Sequence, residues 1–271
     1  DLTVSAETMD VFLQGDWRTW VRSQPFEQIH MEAFDGINLQ GYLLEAPHPS
    51  NKLVVMAHGY LGRARDMGLF GEYYYNDLGY NIFMADARGH GQSEGEYIGF
   101  GWHDRLDYVD WIHLLIDRMG TDTEIILHGL SMGAATVLMA SGEELPPNVK
   151  AIIADSPYTS VNDLFSYQIT RMFNLPSFPI LNSTSMVTKM KAGYSFKEAS
   201  ALEQVKKTNI PILYIHGDAD TFVPTELTYE LYDHTNSDKQ LLIIEGASHG
   251  EAIVLDREAY IQTIHQFIEQ Y

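Results

Sequence analysis

The amino-acid sequence predicts an α/β fold in which a mostly parallel central sheet is flanked by helices. Short, fully apolar segments recur along the chain, as expected of strands that are buried on both faces. Segments with helical periodicity alternate with them, which favours parallel pairing through helical crossovers. A chain of 271 residues with 45% hydrophobic residues can build one large core, so we predict a single domain over residues 1–271.

The individual elements can be assigned in order from the N-terminus. Residues 1–24 have the apolar spacing of an amphipathic helix, and residues 27–33 and 39–44, joined by a turn at Asp35-Gly36, are typical of a β-hairpin. Buried strands are then predicted at 53–57, 81–85, 125–128, 150–154, 210–215 and 240–244. Helices are predicted at 66–77, 102–119, 134–140 and 257–271.

One segment, residues 158–196, interrupts this alternation. It contains no clear strand, is rich in Phe, Tyr and Met, and is broken by Pro176 and Pro179. We predict that it is a small helical cap inserted over the ends of the strands. Its apolar side chains either line a substrate pocket or belong to the core. With neighbouring loops included, the residues predicted to line the pocket are His58, Met172, Phe173, Phe178, Met186 and Phe222.

Charge and composition exclude several classes of function. The 37 acidic residues against 17 basic ones give a formal net charge of −20, which repels nucleic acids and anionic membranes. The absence of cysteine excludes disulfides, thiol catalysis and Cys-ligated metal. His90, His103 and His128 do not have the spacing of a metal site. We therefore predict no metal, no cofactor and no nucleic-acid partner.

The sequence Gly129-Leu130-Ser131-Met132-Gly133 lies between the apolar strand at 125–128 and the small-residue helix at 134–140. A strand, a sharp turn and a helix in this order are the context of a nucleophile elbow. The two glycines permit a tight reversal of the backbone. Ser131 would be held in a strained conformation that directs its hydroxyl out of the sheet, so we predict that it is a nucleophile.

A serine nucleophile requires a base and an acid from elsewhere in the chain. His249 follows the last predicted strand and is the best candidate base for Ser131, although it could also be an ordinary surface histidine. Asp220 follows the preceding strand and can orient the imidazole. Asp218 lies in the same loop and Asp155 ends an earlier strand, so both remain alternatives for the acid.

Four motifs resemble those of the α/β-hydrolase superfamily: His58-Gly59, Gly-Leu-Ser-Met-Gly, the segment 216–224 and Gly246-Ala247-Ser248-His249. From about residue 27 onward, the chain is most similar to the superfamily's bacterial esterases and serine-aminopeptidase-like hydrolases. The resemblance implies an α/β-hydrolase fold, Asp220 as the acid, and the backbone amides of Tyr60 and Met132 as the oxyanion hole. It also implies that Asp86 and Arg88 brace loops rather than take part in catalysis.

These assignments predict a serine hydrolase that cleaves small carboxylic esters with short to medium acyl or aryl groups through an acyl-enzyme on Ser131. An amide or peptide hydrolase of the aminopeptidase-like branch is the alternative enzyme. A member of the superfamily that only binds ligands is the alternative outside catalysis. Hydrolysis of p-nitrophenyl acyl esters compared with that of amino-acid p-nitroanilides would distinguish the two enzymes, whereas a member that only binds ligands usually lacks the serine or the histidine, and this chain has both.

Location is predicted from weaker signals. No apolar run approaches the ~20 residues that span a bilayer, so we predict no membrane contact within this chain. The sequence begins at Asp1, and similar proteins of Gram-positive bacteria often carry an N-terminal anchor. We therefore expect an extracytoplasmic cell-surface location with an upstream anchor, rather than a cytoplasmic one. The oligomeric state stays open.

Overall fold

The computed structural model describes residues 4–271 and contains one eight-stranded sheet. Its strands are β1 (Glu27–Glu32), β2 (Asn38–Leu44), β3 (Lys52–Ala57), β4 (Asn81–Ala85), β5 (Glu124–Leu130), β6 (Val149–Asp155), β7 (Ile212–Gly217) and β8 (Lys239–Ile244). They lie in the order β1-β2-β4-β3-β5-β6-β7-β8. The β1–β2 and β2–β4 pairs are antiparallel, and every other neighbouring pair is parallel. The predicted mostly parallel sheet and N-terminal hairpin are confirmed.

Helices cover both faces of the sheet. They are α1 (Ala6–Gln14), α2 (Asp16–Ser23), α3 (Gly68–Asn76), α4 (Trp102–Met119), α5 (Met132–Ser141), α6 (Val161–Phe173), α7 (Ile180–Ala192), α8 (Ala201–Val205), α9 (Thr225–His234), α10 (Ala252–Leu255) and α11 (Arg257–Ile268). A short 3₁₀ helix, Ala64–Met67, precedes α3. Among residues 4–271, none of the helices combines the length and the apolar character needed to cross a bilayer.

Two apolar cores explain why the strands are apolar throughout. Leu53 and Val55 of β3 pack into one core, and their neighbours Val54 and Met56 pack into the other. Successive side chains of a strand point to opposite faces, so both faces of this strand are buried. Helices α4 and α5 contribute to the first core, and α3 and α11 to the second. The sheet is therefore the middle layer of three.

The N-terminal region differs from the single helix that its periodicity predicts. The described part forms two helices, α1 and α2, separated at Gly15. A side chain at Gly15 would lie 2.4 Å from the carbonyl oxygen of Val11. The indole of Trp17 donates to that same oxygen at 2.7 Å. This contact turns the chain so that Trp17 enters the core beside α3. The predicted residues 1–3 lie outside the described residues.

The segment predicted as a cap contains the helices α6 and α7 and no strand among its elements. Its two ends meet at an isolated antiparallel bridge between Ser160 and Ser200. The Tyr167 hydroxyl of α6 donates to the carbonyl oxygen of Thr221 at 2.9 Å. The segment is thus attached at its base and to the loop that follows β7. The limits 158–196 for the insertion and 1–271 for the domain stay predictions.

Candidate active site

Ser131 lies at the turn between β5 and α5 and has an unusual backbone conformation. Its φ is 57° and its ψ is −115°, in a region that non-glycine residues rarely occupy. The Ser131 amide donates to the carbonyl oxygen of Asp155, at the end of β6, over 2.8 Å. The neighbouring strand therefore helps to hold the strained turn, and the serine keeps 8% of its surface exposed.

The glycines on either side of Ser131 are required by close backbone approach. A Cβ atom at Gly129 would lie 2.2 Å from the carbonyl oxygen of Gly133, and a Cβ atom at Gly133 would lie 2.0 Å from the carbonyl oxygen of Ala57. Both distances are far below van der Waals contact, so any side chain at either position would displace β3 or α5. These contacts explain the Gly-x-Ser-x-Gly spacing in physical terms.

Ser131, His249 and Asp220 form one hydrogen-bonded line. The Ser131 Oγ lies 2.8 Å from His249 Nε2, and His249 Nδ1 lies 2.7 Å from Asp220 Oδ2. Because a carboxylate can only accept here, Nδ1 carries the proton and Nε2 is free to accept from the serine. The geometry is that of a nucleophile, a base and an orienting acid. Ser131 and His249 are 118 positions apart and Asp220 and His249 are 29 apart, yet the three side chains meet at one point.

Asp220 is held as a carboxylate by four donors. Its Oδ1 accepts from the amides of Phe222 and Val223, both at 2.9 Å, and its Oδ2 accepts from His249 and from His216 Nε2 at 2.9 Å. Burial alone would raise the pKa of Asp220, but the hydrogen bonds from His216 and His249 outweigh it and hold the pKa well below the usual range. The group therefore remains charged at neutral pH.

The two other candidate acids have different partners. Asp218 is exposed, and its Oδ1 accepts from the amide of Gly246 at 2.7 Å, so it stabilises a turn. Asp155 is fully buried and accepts from the Tyr260 hydroxyl at 2.8 Å and the Ser156 hydroxyl at 2.9 Å. Of the three carboxylates that the sequence left open, Asp220 is the one within hydrogen-bond distance of His249.

The turn after β3 lies next to the serine. A Cβ atom at Gly59 would sit 3.5 Å from the Cβ of Ser131, so the backbone just before Tyr60 lies close to the serine. Met132 is the first residue of α5, so its amide has no partner within the helix and lies at the positive end of the helix dipole. The resemblance to the α/β-hydrolases implies that the amides of Tyr60 and Met132 form an oxyanion hole, and that role stays a prediction.

A set of buried hydrogen bonds fixes the shape of this turn. The Ala87 amide donates to His58 Nε2 at 2.9 Å, so His58 carries its proton on Nδ1 and donates to the Gly59 carbonyl at 2.7 Å. Burial lowers the pKa of His58 and keeps the ring neutral. The Leu61 amide donates to His90 Nε2 at 3.1 Å. Both histidines serve the turn after β3.

Asp86 and Arg88 brace neighbouring loops, as predicted. Asp86 accepts from the amides of Ala64 at 2.8 Å and Gln92 at 2.9 Å. The Arg88 guanidinium makes a bidentate pair with Asp107, at 2.7 and 2.8 Å. Both side chains are buried, and their contacts tie the glycine-rich loop after β4 to α4. These contacts agree with the bracing role that the resemblance implies.

The predicted pocket residues are distributed over three places. His58 is buried at the turn after β3, and the Phe222 ring lies 5.0 Å from the His249 ring, centroid to centroid. Met172 and Phe173 line an apolar cavity of about 190 Å³ between α6 and α7. Phe178 and Met186 are exposed to 70% and 68%. Phe222 contacts the serine–histidine–aspartate line, through its ring and through its amide, and the pocket stays a prediction.

Two features escaped the sequence reasoning. His216 occurs in the quoted motif, but its hydrogen bond to Asp220 could be suspected only from its position at the end of β7, four residues before the acid. A buried chain of hydrogen bonds also links Asp155, Tyr260, His128 and Tyr74, at 2.8, 3.0 and 2.8 Å. Burial lowers the pKa of His128 to about 3. No local pattern in the sequence signals this network.

No group of three or more His, Asp or Glu side chains in residues 4–271 is arranged to hold a metal ion. The hydrogen-bonded line of Ser131, His249 and Asp220 can remove the proton from the serine hydroxyl.

The sheet order, the strained serine turn and the position of the site at the carboxyl ends of the strands define an α/β-hydrolase. Comparison with family models is consistent with this class: residues 48–190 and 184–253 match the family described as serine aminopeptidase, S33. The matched regions cover most of the chain, and the chain belongs to this family. It is therefore a hydrolase.

The chain is similar to uncharacterized proteins of two bacteria. The uncharacterized protein YqkD of Bacillus subtilis is 30% identical over 255 residues, covering 91% of this chain and 82% of YqkD. The uncharacterized protein YfhR of Escherichia coli K12 is 25% identical over 233 residues, covering 83% of this chain and 74% of YfhR.

Solved structures share the fold. The Pyrococcus furiosus esterase Pf2001 has a TM-score of 0.72 and 24% identity, with 92% of this chain and 94% of the esterase covered. Est1E of Butyrivibrio proteoclasticus, solved with ferulic acid bound, has a TM-score of 0.64 and 24% identity, with 88% and 98% covered. At this level of identity the likeness extends to the fold.

Proposed function

We propose that the protein is a serine esterase that cleaves small carboxylic esters with short to medium acyl or aryl groups. The observation that carries the proposal is the line of hydrogen bonds from Ser131 to His249 to Asp220, at 2.8 and 2.7 Å. In the acylation step, Ser131 Oγ bonds to the ester carbonyl carbon while His249 Nε2 takes the hydroxyl proton. His249 then gives that proton to the departing alkoxide, which leaves as the alcohol.

Deacylation repeats these steps with water. His249 takes a proton from a water molecule that attacks the acyl carbon, and Ser131 leaves with that proton while the carboxylic acid is released. Asp220 keeps the imidazole in the correct tautomer and stabilises the imidazolium that forms in each step. The amides of Tyr60 and Met132 are proposed to bind the oxyanion of each tetrahedral intermediate.

The acyl group is proposed to lie along α6. The Phe222 ring is beside His249, and the Phe222 carbonyl oxygen accepts from the Gln168 side chain of α6. Gln168 also lines the apolar cavity between α6 and α7, together with Met172 and Phe173. These contacts connect the nucleophile to an apolar cavity, which suits a hydrocarbon or aryl group better than a charged one.

An amide or peptide hydrolase is the second candidate, since the matched family is described as a serine aminopeptidase. An aminopeptidase must bind the ammonium group of its substrate, usually with a carboxylate. Residues 164–197, which include α7 and most of α6, contain no acidic residue. This composition favours an ester with an uncharged acyl group over a peptide with a free N-terminus.

A direct comparison of ester and anilide substrates tests whether the protein is an esterase or a peptidase. The purified protein is assayed with p-nitrophenyl esters of increasing acyl length and with p-nitroanilides of leucine, alanine and proline. We expect kcat/KM to be highest for the esters and to pass through a maximum at a short or medium chain. A higher kcat/KM for an anilide would assign the protein to the peptidases, and no turnover of either class would indicate a binding function.

A further inference from the structure

Helix α7 directs most of its large apolar side chains away from the protein. The residues that face the body follow the spacing of one helix face: Leu181, Ser185, Thr188 and Ala192. The contacts agree, since Ser185 Oγ accepts from the Phe196 amide at 2.9 Å and the Ala192 carbonyl accepts from His103 Nε2 at 2.7 Å. The opposite face carries Met186, Val187 and Met190, which are exposed, Met190 to 84%. A helix that only covers a core has the reverse arrangement.

The exposed apolar surface is concentrated in this region. Of the 17 large apolar side chains exposed among the described residues, eight lie within residues 172–190, so the exposure forms a patch rather than a random scatter. Such patches mark interaction sites. We call its outermost part, which is Phe178, Met186, Val187 and Met190, the apolar cap face.

The charge around this face is opposite to that of the rest of the chain. Residues 164–197 contain four basic residues and no acidic one, a net charge of +4, whereas the whole chain has −20 and the remainder therefore −24. Lys189 and Lys191 are exposed and lie on either side of the outward face of α7. Lys189 also pairs with Glu198 at 2.8 Å. The basic residues are Arg171, Lys189, Lys191 and Lys197.

We propose that the apolar cap face docks the protein on the surface of an anionic lipid bilayer. An outward apolar face flanked by lysines is the pattern of helices that lie in the bilayer interface. The lysine stems can cover lipid chains while their ammonium groups reach the anionic headgroups. This replaces the prediction of no membrane contact, which rested on the absence of a bilayer-spanning apolar run and on the net charge of the chain as a whole. Charges farther away than about 8 Å are largely screened at physiological ionic strength, so the local charge decides.

A second copy of the chain fits the same face less well. Two apolar cap faces brought together would also bring together two basic segments, and like charges across an interface are unfavourable. A bilayer containing anionic lipid offers both an apolar interior and the opposite charge. The proposal concerns where the hydrolase binds, and its test does not depend on which ester or amide bond the protein cleaves.

The test is co-sedimentation of the whole protein with vesicles. One set is made of phosphatidylcholine and phosphatidylglycerol, and the other of phosphatidylcholine alone. The Val187→Ser/Met190→Ser variant removes apolar surface from α7. The matched control is Met9→Ser/Leu13→Ser, which removes a similar exposed pair from α1, beside Glu7 and Asp10. Circular dichroism and hydrolysis of a soluble p-nitrophenyl ester check that each variant is folded and active.

We expect the wild type to bind the mixed vesicles and to bind phosphatidylcholine alone much more weakly. The Val187→Ser/Met190→Ser variant should bind roughly tenfold more weakly, and Lys191→Gln about fivefold, while the control on α1 binds like the wild type. Absence of binding by the folded wild type, equal binding to both vesicle sets, or equal losses in the two double variants would overturn the proposal. So would self-association of the wild type that Val187→Ser/Met190→Ser abolishes, without vesicle binding. Failure of ester hydrolysis would instead refute the proposed function and leave the docking result standing.

Discussion

Replacing Asp220 by asparagine tests the assignment of the acid most sharply. Asp220 Oδ2 accepts from two imidazole N–H groups, on His249 and His216, and Oδ1 accepts from two backbone amides. An asparagine has only one accepting oxygen and turns an NH₂ group towards one of these pairs. If the oxygen stays with the backbone amides, the NH₂ group faces two ring nitrogens that carry protons.

The Asp220→Asn substitution changes the tautomer of His249. To accept from the new NH₂ group, its ring must move its proton from Nδ1 to Nε2, the atom that should accept from Ser131. A serine triad with this change loses about 10⁴ in kcat, equivalent to about 5.5 kcal/mol of transition-state stabilisation. We expect a loss of this order for Asp220→Asn, with a small change in KM.

Asp218→Asn is the matched control, since Asp218 is in the same loop and is exposed. Asparagine retains an oxygen that can accept from the Gly246 amide, so we expect kcat within about twofold of the wild type. The assay is the steady-state hydrolysis of p-nitrophenyl acetate, with thermal unfolding to verify the fold of both variants. A larger loss for Asp218→Asn, or nearly full activity of Asp220→Asn, would refute the assignment.

Three further predictions concern groups at or beside the hydrogen-bonded residues Ser131, His249 and Asp220. His216→Phe removes one donor to Asp220, so kcat should fall about tenfold with KM unchanged. Steady-state kinetics with a soluble ester would measure both constants. An unchanged kcat would mean that His216 has no positioning role. The folded-state pKa of Asp220 is lowered, so its contribution to the free energy of unfolding should be complete above the unfolded pKa of about 3.9 and should decline at lower pH. Urea titrations between about pH 5 and pH 2 should therefore show a steeper decline in the free energy of unfolding for the wild type than for Asp220→Asn. Parallel curves would contradict this. Gly133→Ala places a Cβ 2.0 Å from the Ala57 carbonyl oxygen, so urea unfolding should show a loss of at least about 3 kcal/mol, and a stable, active variant would disprove the close approach.

The sheet was predictable because burial on both faces leaves a direct mark on the sequence. The strand at 53–57 is apolar at every position, and the structure extends it by only one residue, to Lys52. The elbow was predictable for a similar reason, since Gly129 and Gly133 are positions where no side chain fits. Such local constraints can be seen without knowledge of the fold.

Contacts between distant segments were harder to predict. The choice among Asp155, Asp218 and Asp220 depends on where β6, β7 and the last loop meet, which no local pattern specifies. His216 lies just after the predicted strand 210–215, in the motif 216–224, and nothing in that motif indicates that its Nε2 lies 2.9 Å from Asp220 Oδ2. The apolar composition of residues 158–196 indicated a pocket, whereas the orientation of α7 leaves Met186 exposed. Composition indicates apolar surface but not the direction in which it faces.

The central claim is that the hydroxyl of Ser131 is the nucleophile, and covalent labelling tests it most directly. A fluorophosphonate probe reacts with an activated serine, so mass spectrometry of the labelled wild type should place the adduct on the peptide that contains Ser131. Ser156→Ala is the control, since Ser156 is a buried serine with a φ of 59° at the end of β6. We predict that Ser131→Ala abolishes labelling and ester hydrolysis while Ser156→Ala retains labelling. Labelling of the folded Ser131→Ala variant at the wild-type rate would contradict the account.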